Sequence, residues 1–510
     1  MVKSLLLGTA AGLVAVAGAQ AADMPVKAKP VQYVKICSLY GDGFYYIPGT
    51  DTCLKMGGYL RVQAEYNMGA GGVVVGSGTT EAPQGRFTRD LTNDFNYRTR
   101  GAISWDVRQQ TEFGTLRTYI RFGAENTTPA TSGAGTAFGP FWDRAFLQFA
   151  GFTVGRTQSF FDLFTYGGGM SYHNVRVSGD TGAAGITVWA YTAQFGNGIS
   201  GSLSIEDPAG HNKANTVDLA TGGFALNGVI TADNAFQAQN AAANGFRNPD
   251  IIANLRMDQA WGFIGISGAV HDASGAYYGT NNVINGHPAD KMGWAVAAGG
   301  QLNLQGGDQI GANVCYTQGA VGFCTNANVW QIYNAGTSVG LAWAPDGVFD
   351  NVGAAGPTQI ELTSVWSFLV GYQHIWSPQW RTSLFGGYVN VRFNQNATNL
   401  INQHLPTPAT APFVACGMPV LGVVSPPINV NHGEGNSCSP NFSFYEIGTR
   451  TQYNPTPQLD IGLEVLYTHL NTAYKGTGIT SGNGSQTGRN LVDDQNVWSA
   501  MLRWQRNFYP

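Results

Sequence analysis

The sequence predicts an all-β fold, a closed barrel of sixteen antiparallel strands that spans a membrane. Three observations lead to this prediction. Segments in which apolar and polar residues alternate recur along the whole chain, long and short connections alternate between these segments, and charged residues are only 11% of the chain. Alternation with period two places successive side chains on opposite faces of an extended chain, so these segments are strands and not helices.

The stretch FNYRTRGAISWDVRQQ at 95–110 shows the pattern most clearly. Its large or apolar residues are Phe95, Tyr97, Ile103, Trp105 and Val107. The residues between them are polar or charged and include Asn96, Arg98, Arg100, Ser104, Asp106 and Arg108. A soluble sandwich would bury the apolar face, whereas a membrane barrel would turn it toward lipid, and one strand cannot distinguish these folds.

The order of the connections distinguishes them. Sixteen alternating segments are predicted at 57–67, 95–109, 114–124, 140–150, 151–157, 184–195, 198–206, 250–258, 261–271, 292–304, 308–317, 361–375, 379–393, 441–454, 457–470 and 494–508. A long polar connection follows every odd segment and a tight turn follows the even ones. Strict alternation of this kind is typical of an up-and-down outer-membrane barrel, which carries loops on one rim and turns on the other. A barrel of about sixteen strands leaves an aqueous lumen.

The composition excludes several classes of protein. Charged residues are too few for the surface of a soluble protein of 510 residues. The 12% of aromatic residues argue against disorder. The formal net charge of −4 gives no basic excess, so no nucleic-acid partner is expected. No cofactor is expected either, since the chain has no HExxH or comparable metal signature.

The N-terminus, MVKSLLLGTAAGLVAVAGAQAAD, predicts a signal peptide at 1–21. It has one Lys, an apolar core and small residues before the expected cleavage after Ala21. A retained membrane helix is the alternative. The predicted organisation continues with an N-terminal periplasmic segment at 22–56 and the barrel at 57–510. No later run of about 18 apolar residues could span a membrane as a helix.

The six cysteines predict three disulfides, because an even number of cysteines in an exported chain favours pairing. Fifteen pairings are possible. The sequential one is favoured, since each pair then closes a short segment between candidate strands. It joins Cys37 to Cys53, Cys315 to Cys324 and Cys416 to Cys438. A metal site is the competing interpretation, but no CxxC or CxxH spacing supports it.

The chain resembles the alphaproteobacterial porins of the Brucella and rhizobial type. The resemblance is carried by KSLLLGTAAGLVA in the signal, VKICSLYGDGFYYIPGTDTCLKMGGYLR at 34–61, FWDRAFLQFAGFTVGRTQSFFD at 141–162 and RNFYP at the end. It implies a sixteen-stranded, homotrimeric, general-diffusion channel in the outer membrane of a Gram-negative bacterium. Outer-membrane lipid and lipopolysaccharide would surround it, and small hydrophilic solutes and ions would pass through it. The end departs from many outer-membrane proteins, because Phe508 is followed by Tyr509 and Pro510.

The resemblance also implies that the third long connection, 158–183, folds into the barrel and narrows it. This connection offers Asp162 and Asp180 as acids. The alternation places six arginines of the early strands on the water-facing side, namely Arg61, Arg98, Arg100, Arg117, Arg121 and Arg144. Acids opposed to arginines at a constriction would set a transverse field that biases ions. Alternatively, the arginines are solvated wall residues or structural ion pairs.

These observations predict a passive diffusion channel and not an enzyme. A substrate-specific channel is the first alternative. A barrel enzyme is less favoured, because no histidine lies beside a suitable nucleophile in any motif. An adhesin that uses the long connections at 207–249, 318–360 and 394–440 is the remaining alternative.

Overall fold

A computed structural model describes residues 35–69, 73–74, 95–128, 137–165, 169–173, 181, 185–211, 216–219, 247–278, 283–325, 331–335, 338–350, 357–403, 438–475, 478–481 and 488–508. The predicted signal peptide at 1–21 and Cys416 lie outside these residues. Among the described residues, no helix is long and apolar enough to cross a membrane.

Sixteen antiparallel strands form one closed barrel, as the sequence predicts. They are β1 (Cys53–Tyr66), β2 (Phe95–Thr111), β3 (Gly114–Thr128), β4 (Ala137–Phe149), β5 (Phe152–Thr157), β6 (Ile186–Gly196), β7 (Ile199–Glu206), β8 (Asp250–Gln259), β9 (Gly262–Asp272), β10 (Met292–Asn303), β11 (Gln309–Gln318), β12 (Ser364–Ile375), β13 (Trp380–Arg392), β14 (Phe442–Thr456), β15 (Leu459–Asn471) and β16 (Gln495–Asn507). Each strand pairs with the next, and β16 pairs with β1, where Trp504 lies opposite Val62.

The predicted turns connect the even strands to the odd ones. Two of the two-residue turns have positive φ at both residues: Ala150 and Gly151 between β4 and β5, and Asn197 and Gly198 between β6 and β7. Positive φ at both central residues matches the right-handed twist of the flanking strands in a tight hairpin. These turns fix the register, and with it the face on which each side chain lies.

The two faces of the barrel differ in chemistry as the alternation requires. Trp105, Trp189, Trp366 and Trp504 keep between 38% and 56% of their surface exposed on the outer face. Polar residues lie on the inner face, such as Asn313, which is 5% exposed. An apolar outer surface and a polar interior are the reverse of a soluble barrel and match the pattern of a barrel that spans a membrane.

Short elements also lie in the N-terminal segment, in one tight turn and in the long connections. Outside the barrel strands the structure describes short strands at Tyr45–Tyr46, Met68–Gly69, Val73–Val74, Val217–Asp218, Gln331–Ala335, Ser338–Ala342, Gly347–Phe349, Glu361–Leu362, Gly478–Ser481 and Gly488–Val492, the helix α1 at Gln395–Gln403, and 3₁₀ turns at Ser38–Tyr40, Pro208–His211, Val283–Asn285, Gln305–Gly307 and Val321–Phe323. Helix α1 begins after Asn394, whose side chain accepts a hydrogen bond from the amide of Ala397 at 2.8 Å.

Connections that are distant in sequence pack together at the rim opposite the tight turns. Val217–Asp218 pairs in parallel with Gly347–Phe349, which pairs in turn with Glu361–Leu362. Trp343 and Phe393 stack with their ring centres 6.1 Å apart. Because these contacts join three different connections, the loop rim is a packed apolar layer in the described part of the chain.

Two of the three predicted disulfides are present. Cys37 is bonded to Cys53 and Cys315 to Cys324. Cys438 is also disulfide-bonded, while its predicted partner Cys416 lies outside the described residues. The first bond fastens the N-terminal segment to the start of β1, and the second fastens the turn at Val321–Phe323 to the inner face of β11.

Candidate functional site

The connection between β5 and β6 contacts the inner face of many strands. Its first contact is with Glu206 at the end of β7, which accepts hydrogen bonds from the Ser159 hydroxyl at 2.6 Å and the Phe160 amide at 2.9 Å. The carbonyl of Phe160 accepts from Asn254 of β8 at 2.6 Å, and that of Phe161 accepts from Ser267 of β9 at 2.8 Å. The wall side chains therefore hold the backbone of this segment.

Glycines on the inner face make room for the next side chains of the connection. A Cβ at Gly311 of β11 would overlap the ring of Phe164, and a Cβ at Gly371 of β12 would overlap the sulfur of Met170. Phe164 and Met170 are 4% and 3% exposed. Since only glycine leaves this space, the two residues fit into depressions of the wall.

A second set of polar contacts lies on β14, β15 and β16. Glu464 accepts from the Tyr172 amide at 2.6 Å and from the Ser171 hydroxyl at 3.1 Å. Arg503 donates to the Tyr172 carbonyl at 2.8 Å, and Arg450 donates to the carbonyl of Gly169. The described residues of the connection thus contact β7, β8, β9, β11, β12, β14, β15 and β16.

Two titratable groups of the connection complete this second set. His173 lies between Glu464, 3.0 Å from Nδ1, and Glu446, 3.5 Å from Nε2. Burial lowers the pKa of His173, but the two carboxylates raise it more, to about 9. Burial and the charge of Asp460 raise the pKa of Tyr172, whose hydroxyl donates to Asp460 at 2.5 Å. At neutral pH the imidazole is therefore cationic and the phenol protonated.

The six predicted arginines lie together on the inner face of β1 to β4, and each has a polar partner. Arg98 pairs with Glu125, and Arg100 pairs with Asp143 at 2.6 Å. The remaining contacts are Arg61 with Gln505 at 2.7 Å, Arg117 with Asp106 at 2.9 Å, Arg121 with Asp143 at 3.2 Å, and Arg144 with the carbonyl of Asp143 at 2.8 Å. Arg108, also placed on this face by the alternation, shares Asp106 at 2.8 Å.

The sequence reasoning missed the three acids that partner these arginines, Asp106, Glu125 and Asp143. Glu125 lies directly opposite Arg100 across β2 and β3, so a predicted strand register would have found it. Asp143 is harder to find, because the pairing of β3 and β4 shifts between Arg121 and Phe122. This bulge turns Asp143 inward beside Arg144, against the simple alternation.

Of the two acids predicted for the connection, the structure describes Asp162. Asp162 accepts hydrogen bonds from the Thr181 amide at 3.0 Å and the Thr181 hydroxyl at 2.8 Å, so it joins two parts of the same connection. Asp180 lies outside the described residues. In the described part of the chain, no cluster of His, Cys, Asp or Glu side chains could hold a metal ion.

Aromatic rings lie beneath the arginines of β2 to β4. The guanidinium of Arg100 lies 3.6 Å from the ring centre of Phe141. Arg117 lies 5.4 Å from the ring centres of both Tyr119 and Phe146, which stack 5.4 Å apart. Contacts of this kind are attractive and orient the planar guanidinium. The inner face of β1 to β4, called the basic wall below, therefore carries cations with fixed positions.

The closed barrel with an apolar outer face and an interior lined with charges defines a membrane-spanning β-barrel of the outer-membrane type. The family model described as Porin subfamily matches residues 23–501, and the chain belongs to this family. Together the family and the barrel place the protein in the outer membrane.

Named porins are similar to part of the chain. Porin Omp2b of Brucella suis is 32% identical over 271 residues, which cover 52% of this chain and 64% of that protein. Porin Omp2a of Brucella melitensis is 36% identical over 223 residues, which cover 40% of this chain and 56% of that protein. The matches thus span less than two thirds of these relatives.

A solved structure supports the fold independently of the sequence. The crystal structure of the outer membrane channel DcaP of Acinetobacter baumannii superimposes with a TM-score of 0.52 at 13% identity. The superposition covers 91% of this chain and 99% of that one. At this identity the likeness shows a common barrel fold.

Proposed function

We propose that the protein is a passive, water-filled diffusion channel for small hydrophilic solutes and ions. The observation that carries the proposal is the partial exposure of the basic wall inside the barrel. Described residues of the β5–β6 connection bond to inner-face side chains of β7 and β16, while Arg117 and Arg121 of the basic wall keep 27% of their side-chain surface exposed. A charged, partly solvated wall inside a closed barrel of this size suits the passage of water and polar solutes.

The β5–β6 connection would fold inward and narrow this passage. Its contacts with Glu206 and Glu464 involve inner-face side chains of β7 and β15. Membership of the porin family favours transport over catalysis. We further propose a homotrimer embedded in outer-membrane lipid and lipopolysaccharide, with the apolar outer face supplying both the lipid contact and the contact between subunits.

Planar lipid bilayers test this function directly. We expect the refolded protein to give conductance steps that are proportional to voltage and occur in groups of three. A sample left unfolded in the same detergent is the matched control. Folded barrels that give no conductance at any voltage would contradict the proposed channel, and single steps with no grouping would contradict the trimer alone.

A substrate-specific channel is the second candidate. The fixed stacks of Arg100 on Phe141 and of Arg117 on Tyr119 favour it, because preorganised side chains can form a binding track for a solute. The two candidates differ in how flux depends on concentration. Simple diffusion gives a flux that rises linearly with solute concentration, whereas a binding track gives one that saturates.

A further inference from the structure

The charges of the inner wall are distributed unevenly around the barrel. On β1 to β4, eight cationic side chains point inward: Lys55, Arg61, Arg98, Arg100, Arg108, Arg117, Arg121 and Arg144. Four carboxylates share this face: Glu65, Asp106, Glu125 and Asp143. Cations thus outnumber acids two to one on the basic wall, and the ion pairs cannot neutralise it.

Two acids of the basic wall lie deeper than the cations that pair with them. The side chain of Asp143 is 2% exposed and that of Asp106 is 12% exposed, whereas Arg117 and Arg121 are each 27% exposed. Glu125 is 29% exposed, and its partners Arg98 and Arg100 are each 8% exposed. A solute that approaches the wall at Arg117 and Arg121 therefore meets guanidinium groups before it meets carboxylates.

The acids on the rest of the inner wall face the β5–β6 connection or another partner. Glu206, Glu446 and Glu464 are each at most 1% exposed. Glu206 and Glu464 bond to the connection, and Glu446 lies beside His173. Asp258, which is 55% exposed, pairs with Arg256 on the same strand at 2.8 Å. The connection therefore removes negative charge from contact with water on the wall that it covers.

We propose that the conducting path runs along the basic wall and that the channel prefers anions, both inorganic anions and small organic carboxylates. This inference rests on the proposed diffusion channel. The positive potential of the exposed guanidiniums raises the local concentration of anions and lowers that of cations. Since the aromatic rings orient Arg100 and Arg117, this potential does not depend on mobile side chains.

The reversal potential across a bilayer in a tenfold gradient of potassium chloride tests the preference. We expect the wild-type reversal potential to have the sign set by chloride. The double variant with Arg117→Gln and Arg121→Gln should have a reversal potential closer to zero. Both substitutions leave the acid partners paired, because Asp106 keeps Arg108 and Asp143 keeps Arg100. Folding should therefore be retained.

Arg256→Gln on β8 is the matched control, because it removes one inward cation outside the basic wall. Its reversal potential should equal that of the wild type. The shift in the double variant should shrink at high salt, where the screening length falls to about 3 Å at 1 M. A potassium preference in the wild type, or a double variant that conducts with an unshifted potential, would overturn the anion preference while leaving the channel intact. Absence of conductance would overturn both.

Discussion

Replacing Glu464 with Ala should release the β5–β6 connection from β15 and raise the single-channel conductance. The substitution removes the acceptor of the Tyr172 amide and the Ser171 hydroxyl, and one of the two carboxylates beside His173. Breaking a buried, hydrogen-bonded ion pair by removing one partner costs about 3–5 kcal/mol. We expect that cost to fall on the docking of the connection, since the backbone pairing of β15 with β14 and β16 does not involve this side chain.

Bilayer recordings of Glu464→Ala should show larger and noisier steps than the wild type. Glu464→Gln keeps an oxygen that can accept the Tyr172 amide but loses the charge beside His173, so it should have an intermediate effect. Asp258→Asn is the matched control, because Asp258 also lies on the inner face but pairs only locally with Arg256. Unchanged conductance in Glu464→Ala would mean that the connection does not limit the current.

Replacing both Arg98 and Arg100 with Glu should abolish folding rather than simply reverse the ion preference. Each arginine side chain is 8% exposed, and their partners Glu125 and Asp143 would remain. Four carboxylates would then lie together, and of the ion pairs that Glu125 and Asp143 make with these arginines and with Arg121, only that of Arg121 with Asp143 would remain. Uncompensated charges in a poorly solvated site each cost several kcal/mol, which is comparable to the whole stability of many proteins.

The yield of the heat-modifiable, compact form in gel electrophoresis measures this effect. We expect almost none for the double variant. Adding Glu125→Arg and Asp143→Arg restores the pairs with reversed polarity and should recover much of the yield. A double variant that folds at the wild-type yield would show that water solvates these residues well, contrary to their burial.

The barrel was predictable because the alternation of apolar and polar residues along its strands is visible in a single sequence. Alternation places Trp105 outward and Arg98 inward, and the tight turns set the register that preserves this alternation. The disulfides Cys37–Cys53 and Cys315–Cys324 were predictable for a similar reason, since each closes a short segment. These features depend on residues that are close in sequence.

The interior was less predictable because its contacts join distant residues. Tyr172 contacts Glu464, which is 292 residues away in the sequence, and Arg503, which is 331 residues away. No local sequence pattern predicts these contacts. The role of Gly311 becomes visible only when Phe164 is placed against it. The inward turn of Asp143 depends on a bulge, which breaks the alternation on which the prediction relied.

We expect water and solutes to pass along the basic wall and not along the wall that the β5–β6 connection contacts. Two serines on inner faces offer a matched comparison. Ser104 of β2 is partly exposed, whereas Ser267 of β9 is 2% exposed and donates to the Phe161 carbonyl at 2.8 Å. Serine to cysteine is a small change in volume, so both variants should fold. Among the described residues no cysteine is free to compete for a thiol reagent.

The decisive measurement is the single-channel current of Ser104→Cys and of Ser267→Cys before and after addition of a negatively charged methanethiosulfonate reagent. We expect a stepwise fall in current for Ser104→Cys, because the reagent reaches the basic wall and then obstructs the path. We expect no change for Ser267→Cys, because the connection covers this residue. A fall in current for Ser267→Cys with none for Ser104→Cys would contradict the claim.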